Sequence, residues 1–165
     1  MKSNDVLAEA FGRLPELVRG AVEGLSPEQL RRAPAEGANT VGWLVWHLTR
    51  VQDSHVAELL DAEQIYISGD WAPRFGRGDS SDTGYGHTAA QVAAVAPESA
   101  QVLLDYYDAV HARTVKYLAG LSDDDLDRVV DERWDPPVTL GVRLVSIYDD
   151  DAQHAGQAAY ARGLL

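Results

Sequence analysis

The chain has 165 residues, of which 45% are hydrophobic, and a formal charge of −12 from 26 acidic against 14 basic residues. That length and apolar content suit one domain with a sizeable core, whereas the charge would repel a phosphate backbone and no basic stripe interrupts it, so no nucleic-acid partner is expected. The chain lacks cysteine, which excludes disulfides, thiolate catalysis and thiolate metal sites and leaves nitrogen and oxygen to hold any metal.

The first residues, MKSNDVLAEAFGRL, carry acids and an amphipathic pattern where a secretory signal would carry a continuous apolar stretch, so a cytoplasmic location is expected. From Val6 to Leu25, Leu7, Phe11, Leu14, Leu17, Val18, Ala21, Val22 and Leu25 recur at three- and four-residue steps, which predicts helix one, kinked at Pro15. Ser26-Pro27-Glu28-Gln29 combines an N-cap serine, proline at the first helical position and glutamine three residues after the cap, so a short helical turn begins there. Asn39 or Thr40 caps helix two, carried from about 40 to 62 by Val41, Leu44, Leu48, Val51 and Leu59. Its apolar run from Val41 to His47 is far below the roughly 20 residues of a membrane span, so no membrane partner is expected.

Residues 63 to 96 are rich in glycine, aspartate and serine, with local helical character only from Thr88 to Val95, and read as a long connection. Pro97 suits the start of helix three, which Val102, Leu103, Tyr106, Val110, Thr114, Tyr117 and Leu118 carry to Gly120. Asp131 to Val138, with its Asp135-Pro136-Pro137, reads as a rigid extended approach, after which Thr139 caps helix four, running to Gly163. Four long helices and few strands imply an all-α four-helix bundle. The Gly-Leu-Ser turns at Gly24 and Gly120, with Thr40-x-Gly42 and Thr139-x-Gly141, suggest two helix-pair halves.

Chemistry concentrates in helix four, where Asp149-Asp150-Asp151 precedes His154. Residues four apart lie one above the other on a helix, about 6 Å along its axis, so Asp150 and His154 can chelate one ion. Asp151, three residues before His154, is the fallback ligand. A bundle builds metal sites from facing helices, and His47, between Leu44 and Val51 on the apolar stripe of helix two, is the best partner because a buried imidazole needs a ligand or hydrogen bond. His55, roughly 12 Å further along the same stripe, is the alternative.

At these residues the chain resembles the DinB-like superfamily of metal-binding four-helix bundles, which includes the N-terminal domain of mycothiol-dependent maleylpyruvate isomerase. Thr40-Val-Gly-Trp-Leu-Val-Trp-His47-Leu resembles the family's first-ligand helix and Asp150-x3-His154-Ala-Gly-Gln157 its second. The resemblance covers essentially the whole chain. Many members carry a His-x3-His pair on the last helix and the isomerase an acid at its first position, where this chain has Asp150. The resemblance implies a divalent ion, zinc or nickel, on His47, Asp150 and His154. It also implies that the ion acidifies a low-molecular-weight thiol such as mycothiol, which attacks an electrophilic substrate in a transferase or isomerase reaction. Competing expectations are a non-catalytic ligand-binding or stress-response module, and metal-assisted hydrolysis with Asp151 accepting the proton.

Gln157, one turn beyond His154, is a candidate for substrate binding or for helix packing, and Arg162 for neutralising an acidic substrate or for favourable placement at a helix C-terminus. Trp71 and Trp134 are candidates to roof a pocket. His87 and His111 are expected at the surface or rim. Apolar residues on outward faces suggest a homodimer.

Overall fold

Why the periodic segments become helices is plain from their caps and buried faces. The computed structural model of the chain describes residues 2–165. Helix α1 (Ser3–Val22) buries Phe11, Leu14, Val18, Ala21 and Val22 and continues through Pro15, ending three residues before Leu25. In α2 (Pro27–Arg31) the Ser26 hydroxyl accepts from the Gln29 amide and the Gln29 side chain accepts from the Ser26 amide at 3.0 Å, the reciprocal cap that the sequence predicts. Helix α3 (Val41–Leu60) is capped by Thr40, whose hydroxyl accepts from the Trp43 amide at 3.0 Å. The connection holds α4 (Ile65–Ser68), a 3₁₀ turn (Ala72–Phe75) and α5 (Ala89–Ala93).

The third long helix, α6 (Ala100–Ala119), begins three residues later than Pro97 predicts. Ser99 is its cap, accepting from the Val102 amide at 3.2 Å, while the Ala96 and Glu98 amides donate to the Phe75 and Arg74 carbonyls. Residues 96–98 are thus hydrogen-bonded to the 3₁₀ turn and unavailable to a helix. After a second 3₁₀ turn (Asp124–Asp127), strands β1 (Val129–Asp131) and β2 (Val138–Thr139) pair antiparallel where the sequence suggests only an extended approach. Thr139 then caps α7 (Leu140–Arg162).

The long helices form an all-α bundle in which α3 and α1 each pack against both α7 and α6. Phe11, Trp46, Leu48, Leu103, Tyr106, Leu144 and Ile147 fill its core, each worth roughly 1.5–3 kcal/mol of apolar burial. No helix among the described residues is long and apolar enough to cross a membrane.

Helix α3 is buried on nearly all sides because the connection wraps its outer face, and two buried charges hold that wrapping. Arg50 donates to the Asp82 and Ser80 carbonyls, both at 3.0 Å, and lies over the Tyr66 ring at 4.0 Å. Asp53 accepts from the Ile65 and Tyr66 amides at 2.9 and 2.8 Å, capping α4, and from the Tyr106 hydroxyl at 2.8 Å. Each charge is 0% exposed and they stand 3.6 Å apart, so neither is buried without partners.

Candidate metal centre

The antiparallel packing of α3 on α7 sets His47 opposite the last turns of α7. His47, Asp150 and His154 each offer a ligand atom so that all three atoms lie within 4.8 Å of one another. Donors around one tetrahedral ion at roughly 2.1 Å stand about 3.4 Å apart, so side-chain shifts of about an ångström close the triad.

The hydrogen bonds around the two imidazoles fix which nitrogen is free. The Thr83 carbonyl can only accept, so His47 Nδ1–H donates to it at 2.5 Å and Nε2 keeps its lone pair. In the same way His154 Nδ1–H donates to the Asp150 carbonyl at 2.8 Å and frees its Nε2. This is how backbone acceptors orient ligating histidines. Asp150 Oδ2 is buried and makes no contact of hydrogen-bond geometry, its nearest donor being His154 Nδ1 at 3.3 Å, so it keeps acceptor capacity that suits a cation. Burial holds the His47 pKa below the usual histidine value, which favours the neutral ring. The Asp150 carboxylate, together with its backbone carbonyl, raises that of His154.

A strap from residues 77–87 pins this geometry. Asp82 accepts from the Gly84 amide at 2.9 Å, from Arg77, and from His87 Nε2 at 3.0 Å. His87 Nδ1 in turn accepts from the Trp43 indole N–H at 3.0 Å, and Trp43 stacks on His47 with centroids 4.6 Å apart. Gly84 has φ +90°, and a Cβ there would lie 2.8 Å from His47 Nδ1, so only glycine lets the strap approach the ring so closely. His87 is therefore no surface residue; its side chain is 5% exposed. Sequence reasoning missed this strap, and the signal present was Asp82-x-Gly84, the pattern of an aspartate that accepts from the amide two residues on.

Beside the triad lies a cavity of about 390 Å³ between α3 and α7, walled by Val51, Ser54, His55, Ser146, Thr83 and Tyr85. Thr83 and Tyr85 occupy the place foreseen for Trp71 and Trp134. Trp71 packs on Tyr106 at 5.4 Å, and Trp134 is largely exposed.

Asp151 is fully buried away from this cavity, its carboxyl oxygens without partners and its pKa pushed well up by burial. Neither the ligand role nor the proton-accepting role considered for it fits that position. His55 lines the cavity but turns Nδ1 to Arg143 at 2.9 Å. His111 is half-buried and stacks on Tyr107 at 5.7 Å. Gln157 is exposed in a separate groove with Pro34, Leu44 and Leu164, and Arg162 donates to the Glu23 carbonyl at 2.8 Å, closing the end of α1. Neither is brought to the cavity beside the triad.

The family model of the DinB superfamily matches residues 10–158. The chain belongs to the DinB superfamily. A crystal structure of a conserved protein from Enterococcus faecalis superimposes with a TM-score of 0.90 at 32% identity, covering 99% of this chain and 97% of that one. No curated protein matches the chain. Within this superfamily fold the site joins the second and fourth long helices, so its ligands are 103 residues apart, from His47 to Asp150, and meet only in the folded bundle.

Proposed function

We propose that this DinB-superfamily chain holds one divalent ion, zinc or nickel, on His47, Asp150 and His154, and serves as a thiol-dependent transferase or isomerase. The observation that carries the reading is the convergence of His47, Asp150 and His154, whose ligand atoms all lie within 4.8 Å of one another, in a site where backbone carbonyls engage one nitrogen of each imidazole. A bound ion would supply Lewis acidity, lowering the pKa of a thiol or water it meets. Backbone carbonyls accept from Nδ1–H of His47 and His154, which leaves each Nε2 to donate its lone pair once His154 has given up its extra proton. Asp150 supplies one negative charge, so a dication in the triad keeps a net positive charge that favours an anionic sulfur.

The chain has no cysteine, so the thiol must arrive as a small molecule, and the acid-x3-His pair on α7 supports mycothiol, the cosubstrate of the isomerase the sequence resembles. An electrophilic partner would share the cavity between α3 and α7. Val6 and Val145, exposed on adjoining helices, support a homodimer, which gel filtration tests.

Metal analysis of the purified protein should return one equivalent of ion, lost in His154→Ala. Absence of stoichiometric metal, with melting unchanged by added zinc or nickel, refutes the site. Metal without any stabilisation by low-molecular-weight thiols refutes the thiol reading.

A further inference from the structure

The cavity that begins at the triad ends at a second group with its own supports. His55 Nδ1 lies 2.9 Å from Arg143 Nη1. A guanidinium has donors only, so Nδ1 must carry the lone pair and Nε2 the proton. Arg143 is itself held in place. Its Nη1 also donates to Glu58 Oε2 at 3.1 Å and its Nη2 to Asp131 Oδ2 at 2.9 Å, while Arg133 grips Asp131 through Nε and Nη2, both at 2.8 Å. The remaining nitrogen, Nε2, has no hydrogen-bond partner among the described residues, on a side chain that lines the cavity and is 38% exposed.

The charge of this wall is balanced before any ligand arrives. Arg143 sits between two carboxylates and turns its donors to them and to His55, so a carboxylate entering here would meet Glu58 without gaining a free cation. A neutral acceptor meets no such repulsion and finds an N–H already aimed and unpaired. Eight residues along α3 separate His55 from His47, which is about 12 Å of helix axis.

We propose that His55 is the specificity-determining donor of this cavity, its Nε2–H receiving a neutral acceptor, an amide carbonyl or a hydroxyl, on the ligand whose thiol reaches the triad. The inference rests on the thiol reading above for the identity of the ligand's other end. The substrate class is thus a thiol carrying an amide or hydroxyl on the order of 10 Å from sulfur, rather than a thiol with a carboxylate at that distance.

The test uses the full chain with cobalt(II) in the triad and three probes: 3-mercaptopropionamide, 6-mercaptohexanamide and 6-mercaptohexanoate. Cobalt absorption reads the triad end, and the ¹⁵N resonances of His55 in the zinc-loaded protein read the far end. The long amide should bind roughly ten-fold more tightly than either the short amide or the long acid, the worth of one neutral hydrogen bond. His55→Leu should abolish that preference, and His55→Gln, which retains an N–H donor, should restore it. The ¹⁵N spectrum should show a protonated Nε2 and a bare Nδ1, a readout that needs no variant to fold. An unchanged preference in His55→Leu, or a protonated Nδ1, overturns the proposal. If no thiol alters the cobalt spectrum, the thiol reading falls instead. In that event a ¹⁵N shift of His55 with hexanamide but not hexanoate sustains this inference, and no shift overturns it.

Discussion

Alanine at position 84 would place its methyl carbon 2.8 Å from His47 Nδ1 and 2.9 Å from the Trp46 ring, on a backbone with φ +90°. The backbone cost and the contact cost can be separated, because Gly86 also has positive φ, +71°, yet open space where its Cβ would stand. Gly86→Ala should therefore lose about 1–2 kcal/mol, the backbone contribution alone. Gly84→Ala bears the same cost and must also push the strap off His47, breaking the bond to the Thr83 carbonyl, worth about 1 kcal/mol, for a total of about 2–3 kcal/mol. The two variants should part most sharply in metal binding. Losing the carbonyl that orients the ring should weaken zinc binding by roughly 10- to 100-fold in Gly84→Ala and leave Gly86→Ala unchanged. Urea unfolding of the metal-free proteins reads the first quantity, and competition against a chromophoric chelator reads the second. Equal zinc affinity in the two variants would refute the claim that the strap holds the ligand.

The pH dependence of zinc binding follows from the raised pKa of His154, set chiefly by the Asp150 carboxylate beside it. The ring keeps its proton to higher pH, zinc must displace it, and affinity should rise with pH through that range. Asp150→Asn should lower affinity roughly a hundred-fold and flatten that rise, as isothermal titration at several pH values would show. His55 acts on stability instead: burial, then Arg143, lowers its pKa from 6.5, so the folded state binds fewer protons than the unfolded chain. The stability it contributes is present above pH 6.5 and is lost as pH falls towards the lower folded value. Urea midpoints at neutral pH and in mild acid should converge in His55→Gln relative to wild type, and an identical decline would count against the Arg143 contact. Asp151→Asn should raise stability at neutral pH, because folding no longer has to protonate a buried, partnerless carboxyl whose pKa burial pushes up. A lower melting temperature would contradict that burial.

The four long helices could be read from the sequence because their signals are local: a three- and four-residue apolar period, and caps such as Ser26, Thr40 and Thr139 that act within one turn. His47 is legible for the same reason, standing on a predicted inner face, and His154 through the four-residue step that sets Asp150 one turn before it. Spacing favours Asp150 over Asp151 without excluding the latter, since both bring an acid near His154. The choice between them is decided by the rotation of α7, which the burial of Leu144, Ile147, Ala155 and Ala158 sets. Pro97 and Ser99 are both sound start signals two residues apart, and hydrogen bonds to the Arg74 and Phe75 carbonyls decide between them. The strap was hidden because its partners are remote: Arg50 finds carbonyls 30 and 32 residues away, and Trp43 finds His87 at a separation of 44. A buried arginine on a helix looks, in sequence, like any solvated one.

Tyr85 is 93% exposed and stands between two glycines with positive φ, on a loop whose other contacts are carried by Asp82, Thr83 and His87. The exposed side chain at the cavity mouth is thus distinct from the groups whose hydrogen bonds hold the His47 ring. Substitutions at residue 85 should change the shape of the cavity mouth while leaving the arrangement of His47, Asp150 and His154 untouched. On the proposed function, one bundle could in this way be retuned to new ligands through a single side chain, without rebuilding the interior that supports it.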